Sequence, residues 1–224
     1  MIILLVKALF AMLLHYIFIL GICVEAITGA IAAGRKKMDF FGVMVIASIT
    51  GLGGGTVRDV LFDTHPLTWV ANPQYLLYTS ATALATIFIA HSLVRIMKLF
   101  LILDALGLSA FVIIGSQKIL NYGLSPSAAI IGGMITGICG GMLRDILCND
   151  IPLVLRKELY AIVALAGGIL YITLHYFQVP LTINVFVTLV FIFTTRLLAI
   201  FFHIEVPKFD YARSLRKGRR RKIV

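Results

Sequence analysis

Charge is scarce in this chain of 224 residues: 13% of them are charged, against 60% that are hydrophobic. With a mean hydropathy of +1.02, that balance excludes an ordinary soluble domain, which cannot hide so much apolar surface, whereas a bilayer can. Cysteine is nearly missing. The three present, Cys23, Cys139 and Cys148, lie in apolar runs at spacings that suit neither a disulfide framework nor a zinc site, and they read as small buried residues. There is no Walker loop, no zinc motif and no catalytic triad. The chain therefore does not read as an enzyme, and no metal site, catalytic set or bound cofactor is expected.

What is present is a succession of apolar runs near 8–33, 39–62, 72–93, 99–120, 125–148, 158–177 and 181–203. Each can cross a hydrocarbon core, since a helix rises about 1.5 Å per residue and needs about 20 residues. The runs are continuous rather than alternating, which selects helices over a β-barrel. The expectation is an all-α integral membrane protein with seven transmembrane helices. The first run is not read as a signal peptide: Lys7 is a weak positive start, no small-residue cleavage site follows, and the run ends in Arg35-Lys36-Lys37. Ile22 is too bulky for a lipoprotein pattern at Leu20 to Cys23.

The net charge of +10 gains meaning once it is placed. With a cytoplasmic C-terminus, seven spans put the N-terminus outside. The inner side then receives Arg35, Lys36, Lys37, Arg95, Lys98, Arg156, Lys157 and the basic tail from Lys208 to Lys222, and the outer side only Lys7 and Lys118. This is a strong positive-inside bias and predicts a multi-pass protein of the plasma (inner) membrane in that orientation. The tail reads as a topology anchor lying on anionic lipid headgroups rather than as a nucleic-acid-binding segment.

Two segments read almost alike. Gly51 to Leu61 matches Gly137 to Leu147 at an offset of 86 residues, Pro66-Leu67 matches Pro152-Leu153, and Gly29 falls in register with Gly115. The unit spans three runs, an odd number, so its second copy enters the membrane from the opposite side. This divides the chain into a first three-helix repeat (1–95), an inverted second repeat (96–178), a seventh helix (179–204) and a basic cytoplasmic tail (205–224). Inverted repeats with a Gly-interrupted span at matching positions point to a pathway at the repeat interface.

The chemistry lies in those matched segments. Gly51, Gly53, Gly54 and Gly55, followed by Thr56, sit at mid-depth of the second run, and Gly137, Gly140 and Gly141 at mid-depth of the fifth. Interior glycines cost about 1 kcal/mol each relative to Ala, so the clusters invite a kink or local break; the same spacing also suits close helix packing. Arg58-Asp59 and Arg144-Asp145 follow one turn on. A charge at mid-membrane costs roughly 2.5–3.5 kcal/mol and needs a cavity or a partner, so these residues read as a structural ion pair, a polar pathway, or both. Glu25 and Asp104 are further carboxylates inside spans, while Arg196, near the end of the last, is expected to snorkel to the interface. The slight acidic excess among these groups favours cations. His15, His91, His175 and His203 read as interfacial or packed residues.

Gly34-Arg-Lys-Lys-Met-Asp39, Gly53-Gly-Gly-Thr-Val-Arg-Asp59, Gly140-Gly-Met-Leu-Arg-Asp145 and Ile151-Pro-Leu-Val-Leu-Arg-Lys-Glu-Leu-Tyr160 resemble the bacterial and archaeal members of the trimeric intracellular cation (TRIC) channel family, also described as the UPF0126 or glycine-transporter-domain family. The resemblance covers about residues 10–202. It implies a homotrimer in which each protomer carries its own pore for monovalent cations, chiefly potassium, lined by kinked second and fifth helices, with Gly53 to Asp59 and Gly140 to Asp145 as the functional segments. Potassium or sodium would be the permeant ion rather than a cofactor. Cys139 departs from the Gly-Gly-Gly of the first copy, and Glu25 departs from the small, apolar pattern expected there. The same family has also been described as small-solute, glycine-like secondary transporters, which is the alternative reading.

Overall fold

The computed structural model describes residues 2–90, 96–156 and 159–202, with side-chain surroundings for 12–89, 98–156 and 159–202. His91, Arg95, Lys157, His203 and the tail 205–224 lie outside these limits, as does the side chain of Lys7. Within them the chain is helical throughout: α1 (Ile2–Arg35), α2 (Phe40–Leu61), a short α3 (Thr68–Ala71), α4 (Gln74–Ala90), α5 (Ile96–Asn121), α6 (Pro126–Leu147), a short α7 (Leu153–Arg156), α8 (Leu159–Tyr176) and α9 (Leu181–Phe201). Six of these are long and apolar enough to cross a membrane, and Gln74–Ile89 is a shorter apolar helix at the place of the expected third span.

Local chemistry sets the ends. Asp39 opens α2 by accepting from the Gly42 N–H at 2.7 Å, and Ser125 opens α6 by accepting from the Ala128 N–H at 3.2 Å, with Pro126 following it; both side chains satisfy donors that the first helical turn leaves free. Left-handed residues turn the chain after α1, α2, α6 and α8: Lys37, Asp63, Asn149 and Gln178 have φ of 51–57°. Two of them stand at matched positions, Asp63 after α2 and Asn149 after α6.

Helix α1 packs on α2, α4 and α5; α5 packs on α6, α8 and α9; α2 and α6 cross at the centre. The interior near α1, α2 and α4 is built of small side chains, Ala26, Ala30, Ala33, Ala47 and Ala83, which lets backbones approach closely. Large apolar residues face outward instead, with Phe88 at 78%, Leu77 at 70% and Phe186 at 68% exposure, as a lipid-facing belt requires.

The expected local break at the glycine clusters does not occur: α2 and α6 each run as unbroken 22-residue helices through their glycines. Arg196 does not snorkel. It is 2% exposed, and its guanidinium lies 4.4 Å over the Tyr160 ring, a cation–π contact that compensates part of the lost hydration.

Candidate functional site

The glycines serve the α2–α6 crossing. A Cβ on Gly54 would fall 2.2 Å from the Thr136 carbonyl oxygen and 3.1 Å from the Gly140 nitrogen; one on Gly140 would fall 2.3 Å from the Thr50 carbonyl oxygen and 3.7 Å from the Gly54 nitrogen. Backbone meets backbone there, and only glycine fits on either side. Gly53 faces the Leu143 side chain. Gly55 and Gly141 are different: the nearest atoms to an added Cβ are the guanidinium groups of Arg58 at 3.5 Å and Arg144 at 3.4 Å, an ordinary contact.

At the C-terminal end of α2, Asp59 is fully buried and collects donors. Its Oδ1 accepts from Arg58 Nε at 2.9 Å and Nη2 at 2.6 Å, and from the Thr64 hydroxyl at 3.0 Å. Its Oδ2 accepts from the Thr68 N–H at 3.1 Å, the Thr68 hydroxyl at 2.9 Å and Lys118 Nζ at 2.9 Å. Arg58 also reaches across to α6, donating to the Thr136 hydroxyl at 3.2 Å. One carboxylate thus faces two cations. Beside this cluster lies a cavity of about 310 Å³ bordered by Ser48, Gly53, Thr56, Trp69 and Leu143, in which Trp69 Nε1 donates to the Thr56 hydroxyl at 3.2 Å.

At the C-terminal end of α6 the roles reverse. Arg144 is fully buried. Its Nε donates to Asp145 Oδ1 at 2.8 Å, and its Nη1 donates to Asp104 Oδ1 at 3.1 Å and to the Thr28 hydroxyl at 2.9 Å. Glu25 Oε2 stands 3.8 Å from Nη1, and the Phe100 ring centroid 4.6 Å from Cζ. One cation thus faces three carboxylates. Asp104 Oδ2, Arg144 Nη2 and Arg196 Nε are buried without a hydrogen-bond partner among the described residues. Outside the helices, Lys36 Nζ meets Asp150 Oδ1 at 2.8 Å, and this hydrogen bond holds the Asp150 carboxyl below the usual carboxylate range.

The structure therefore brings Glu25, Asp104, Arg144 and Asp145 together in one cluster and Arg58 with Asp59 in another. The glycines Gly54 and Gly140 meet between the two. The sequence reading missed the place of Lys118 at Asp59 and the hydroxyls of Thr64, Thr68 and Thr136. The Thr-rich turn after Asp59 was a usable signal, because a buried carboxylate needs nearby donors. Lys118 had none, since only the packing of α5 brings it to α2.

Comparison with known proteins fits this geometry. The family model described as "Glycine transporter" matches residues 15–91 and again 101–176. The UPF0126 inner membrane protein YadS of Escherichia coli (strain K12) is 40% identical over 200 residues, covering 88% of this chain and 97% of that protein. The chain belongs to the TRIC/UPF0126 family. Among solved structures, a TRIC trimeric intracellular cation channel orthologue from Rhodobacter sphaeroides superposes with a TM-score of 0.83 at 34% identity, over 86% of this chain and 99% of that one. A prokaryotic TRIC channel in 0.5 M KCl gives 0.80 at 31% identity, over 88% and 100%. This TRIC/UPF0126 member is a multi-pass, all-helical membrane protein.

Proposed function

We propose that this protein conducts monovalent cations, chiefly potassium, along a path within each protomer beside the α2–α6 crossing, and that it assembles as a homotrimer in the inner membrane with its N-terminus outside. The observation that carries the reading is the likeness to solved TRIC channels over nearly the whole chain, at 34% identity for the Rhodobacter sphaeroides orthologue. The site agrees with it in chemical terms: buried charge clusters lie at the C-terminal ends of both crossing helices, and intramembrane charge of that density is normally tied to a conduction or coupling role. Because glycine backbones touch at Gly54 and Gly140, the path runs beside the crossing, past Gly53 and Thr56 in one helix and Gly141 in the other. Arg58 and Arg144 are then the side chains that must yield for ions to pass. The two matched segments are read as inverted repeats (1–95 and 96–178), with 179–204 as an added helix and 205–224 as the basic tail on anionic lipid.

The purified protein in a planar bilayer under asymmetric potassium chloride tests this reading. Discrete unitary currents reversing toward the potassium potential are expected; a silent bilayer with saturable uptake of a small solute would sink it. That second outcome belongs to a glycine-like secondary transporter, which the description of the matching family model favours.

A further inference from the structure

The second charge cluster does not balance. Glu25, Asp104 and Asp145 surround one guanidinium, yet Arg144 commits Nε to Asp145 and Nη1 to Asp104 and Thr28, while Nη2 has no partner among the described residues. Glu25 at 3.8 Å lies beyond hydrogen-bond reach of that cation. Its Oε1 rests against Gly107, where an added Cβ would fall 2.0 Å away.

A proton inventory sharpens the point. The Thr28 hydroxyl oxygen lies 2.9 Å from the Glu25 backbone oxygen, 2.9 Å from Glu25 Oε2 and 2.9 Å from the donating Arg144 Nη1. A hydroxyl has one proton to give. Given to the carboxylate, it is the one hydrogen bond that Glu25 Oε2 accepts among the described residues, while the Thr28 oxygen accepts from Arg144 in turn. Separately, Asp104 Oδ2, on a side chain 1% exposed, has no donor among the described residues. Two ionised carboxylates beside one shared nitrogen, each short of donors and removed from water, repel strongly, and like-charged acids in such a place retain a proton between them.

We propose that Glu25 holds a proton in this cluster beside Asp104, and that its release to water restores a second negative charge which raises cation conduction through this protomer. The conduction half rests on the channel reading above; the proton site does not. Among the described residues, the titratable and charged groups that face Glu25 are Asp104 on α5, Arg144 and Asp145 on α6, and Tyr160 on α8. Helix α2 turns its own pair, Arg58 and Asp59, to the other cluster, and α9 places Arg196 behind the Tyr160 ring. The positions 86 residues away from Glu25 and Asp104 are Phe111 and Phe18, so the first cluster has no such pair.

Infrared difference spectroscopy on the full-length protein in lipid reads the proton directly. The wild type should show a carboxylic-acid carbonyl band that disappears as the pH is raised, and that band should be lost in Glu25→Gln and in Asp104→Asn. Oligomer mass is measured first. Should Glu25→Gln not assemble, Glu25→Asp, which keeps the acid and moves the band, supplies the assignment. Potassium flux into vesicles should rise about tenfold over the same pH range, the low end of charge focusing in a cleft, and should lose that step in Glu25→Gln. A wild type without the band, or a band indifferent to both substitutions, overturns the proton site. A band accompanied by pH-independent flux overturns its coupling to conduction. A band with no potassium flux at any pH leaves the proton site standing and sinks the channel reading instead.

Discussion

The ends of α2 and α6 begin from one local frame and finish with opposite charge. In both, the residue after the helix donates back to the arginine carbonyl, Phe62 to Arg58 at 3.0 Å and Cys148 to Arg144 at 2.9 Å. In both, a left-handed residue follows, Asp63 or Asn149. In both, the aspartate carboxylate accepts a backbone N–H near the start of a short helix, from Thr68 at 3.1 Å or Leu153 at 2.9 Å. The frame is therefore a property of the shared Arg-Asp-x-Leu turn. What differs comes from neighbouring helices: α5 offers Lys118 to Asp59, whereas α1 and α5 offer Glu25 and Asp104 to Arg144. A repeated segment thus supplies a socket, and the charge of the site is decided by unmatched positions elsewhere.

Removing each arginine tests this asymmetry most severely. Arg144→Gln should cost roughly 3–5 kcal/mol, since it strands buried carboxylates without the one cation that the described residues set against them. Arg58→Gln should cost less, about 2 kcal/mol, because Lys118 and the hydroxyls of Thr64 and Thr68 still serve Asp59. Thermal unfolding in one detergent measures both; equal losses would show that the clusters are energetically alike.

The glycines divide within each helix rather than between them. Gly54→Ala and Gly140→Ala place a methyl group against a backbone carbonyl that cannot swing away, so each should lose about 1–3 kcal/mol by overpacking. Gly55→Ala meets the Arg58 guanidinium and Gly141→Ala the Arg144 guanidinium and Asp104 Oδ1, all at ordinary contact distance, and both should gain up to about 1 kcal/mol of helix propensity. Stability and potassium flux on the same preparations check this. A flux change in Gly55→Ala without loss of stability would assign that position to the path.

Lys118→Met should then act more on conduction than on stability. Lys118 is the more exposed partner of the pair, its side chain at 22%, and losing one charge-assisted bond to Asp59 is worth about 1.5 kcal/mol. The variant should remain folded with altered unitary current. Unchanged current would mean that the Asp59 cluster is purely structural.

Most of the fold was legible in the apolar runs, because bilayer thickness and backbone satisfaction leave few solutions for such a composition. The matched Gly–Arg–Asp segments likewise led to the two clusters. Three things were not legible. The glycine clusters left two readings open, a kink or local break and close helix packing, and only the α2–α6 contact at Gly54 and Gly140 assigns those two positions to packing. Arg196 sits near a helix end, which favours snorkelling, yet Tyr160 from α8 offers it a ring inside. The turns containing α3 and α7 are too short for a hydrophobic period to mark them.

The Lys36–Asp150 pair carries the smallest expected effect and tests whether the two ends are independent. It joins the turn after α1 to the turn after α6 across 114 residues, and the positions that correspond to it at the other end are Tyr122 and Thr64, so the Lys–Asp pair is not repeated there. Its side chains are 35% and 44% exposed, so the coupling from a double-mutant cycle of Lys36→Ala and Asp150→Asn should be only about 0.5 kcal/mol. Because Lys36 lowers the Asp150 pKa in the folded state, the contribution is present above the ordinary aspartate value of about 3.9. It is lost as the pH falls through the lower folded-state value. High salt should erase it as well, since the Debye length shrinks to about 3 Å at 1 M. A coupling that survives both acid and salt would contradict a solvent-exposed bridge. A Lys36→Ala variant that also changed the response to Lys118→Met would show that the two ends of the α2–α6 crossing communicate, and the two clusters could no longer be treated as separate sites.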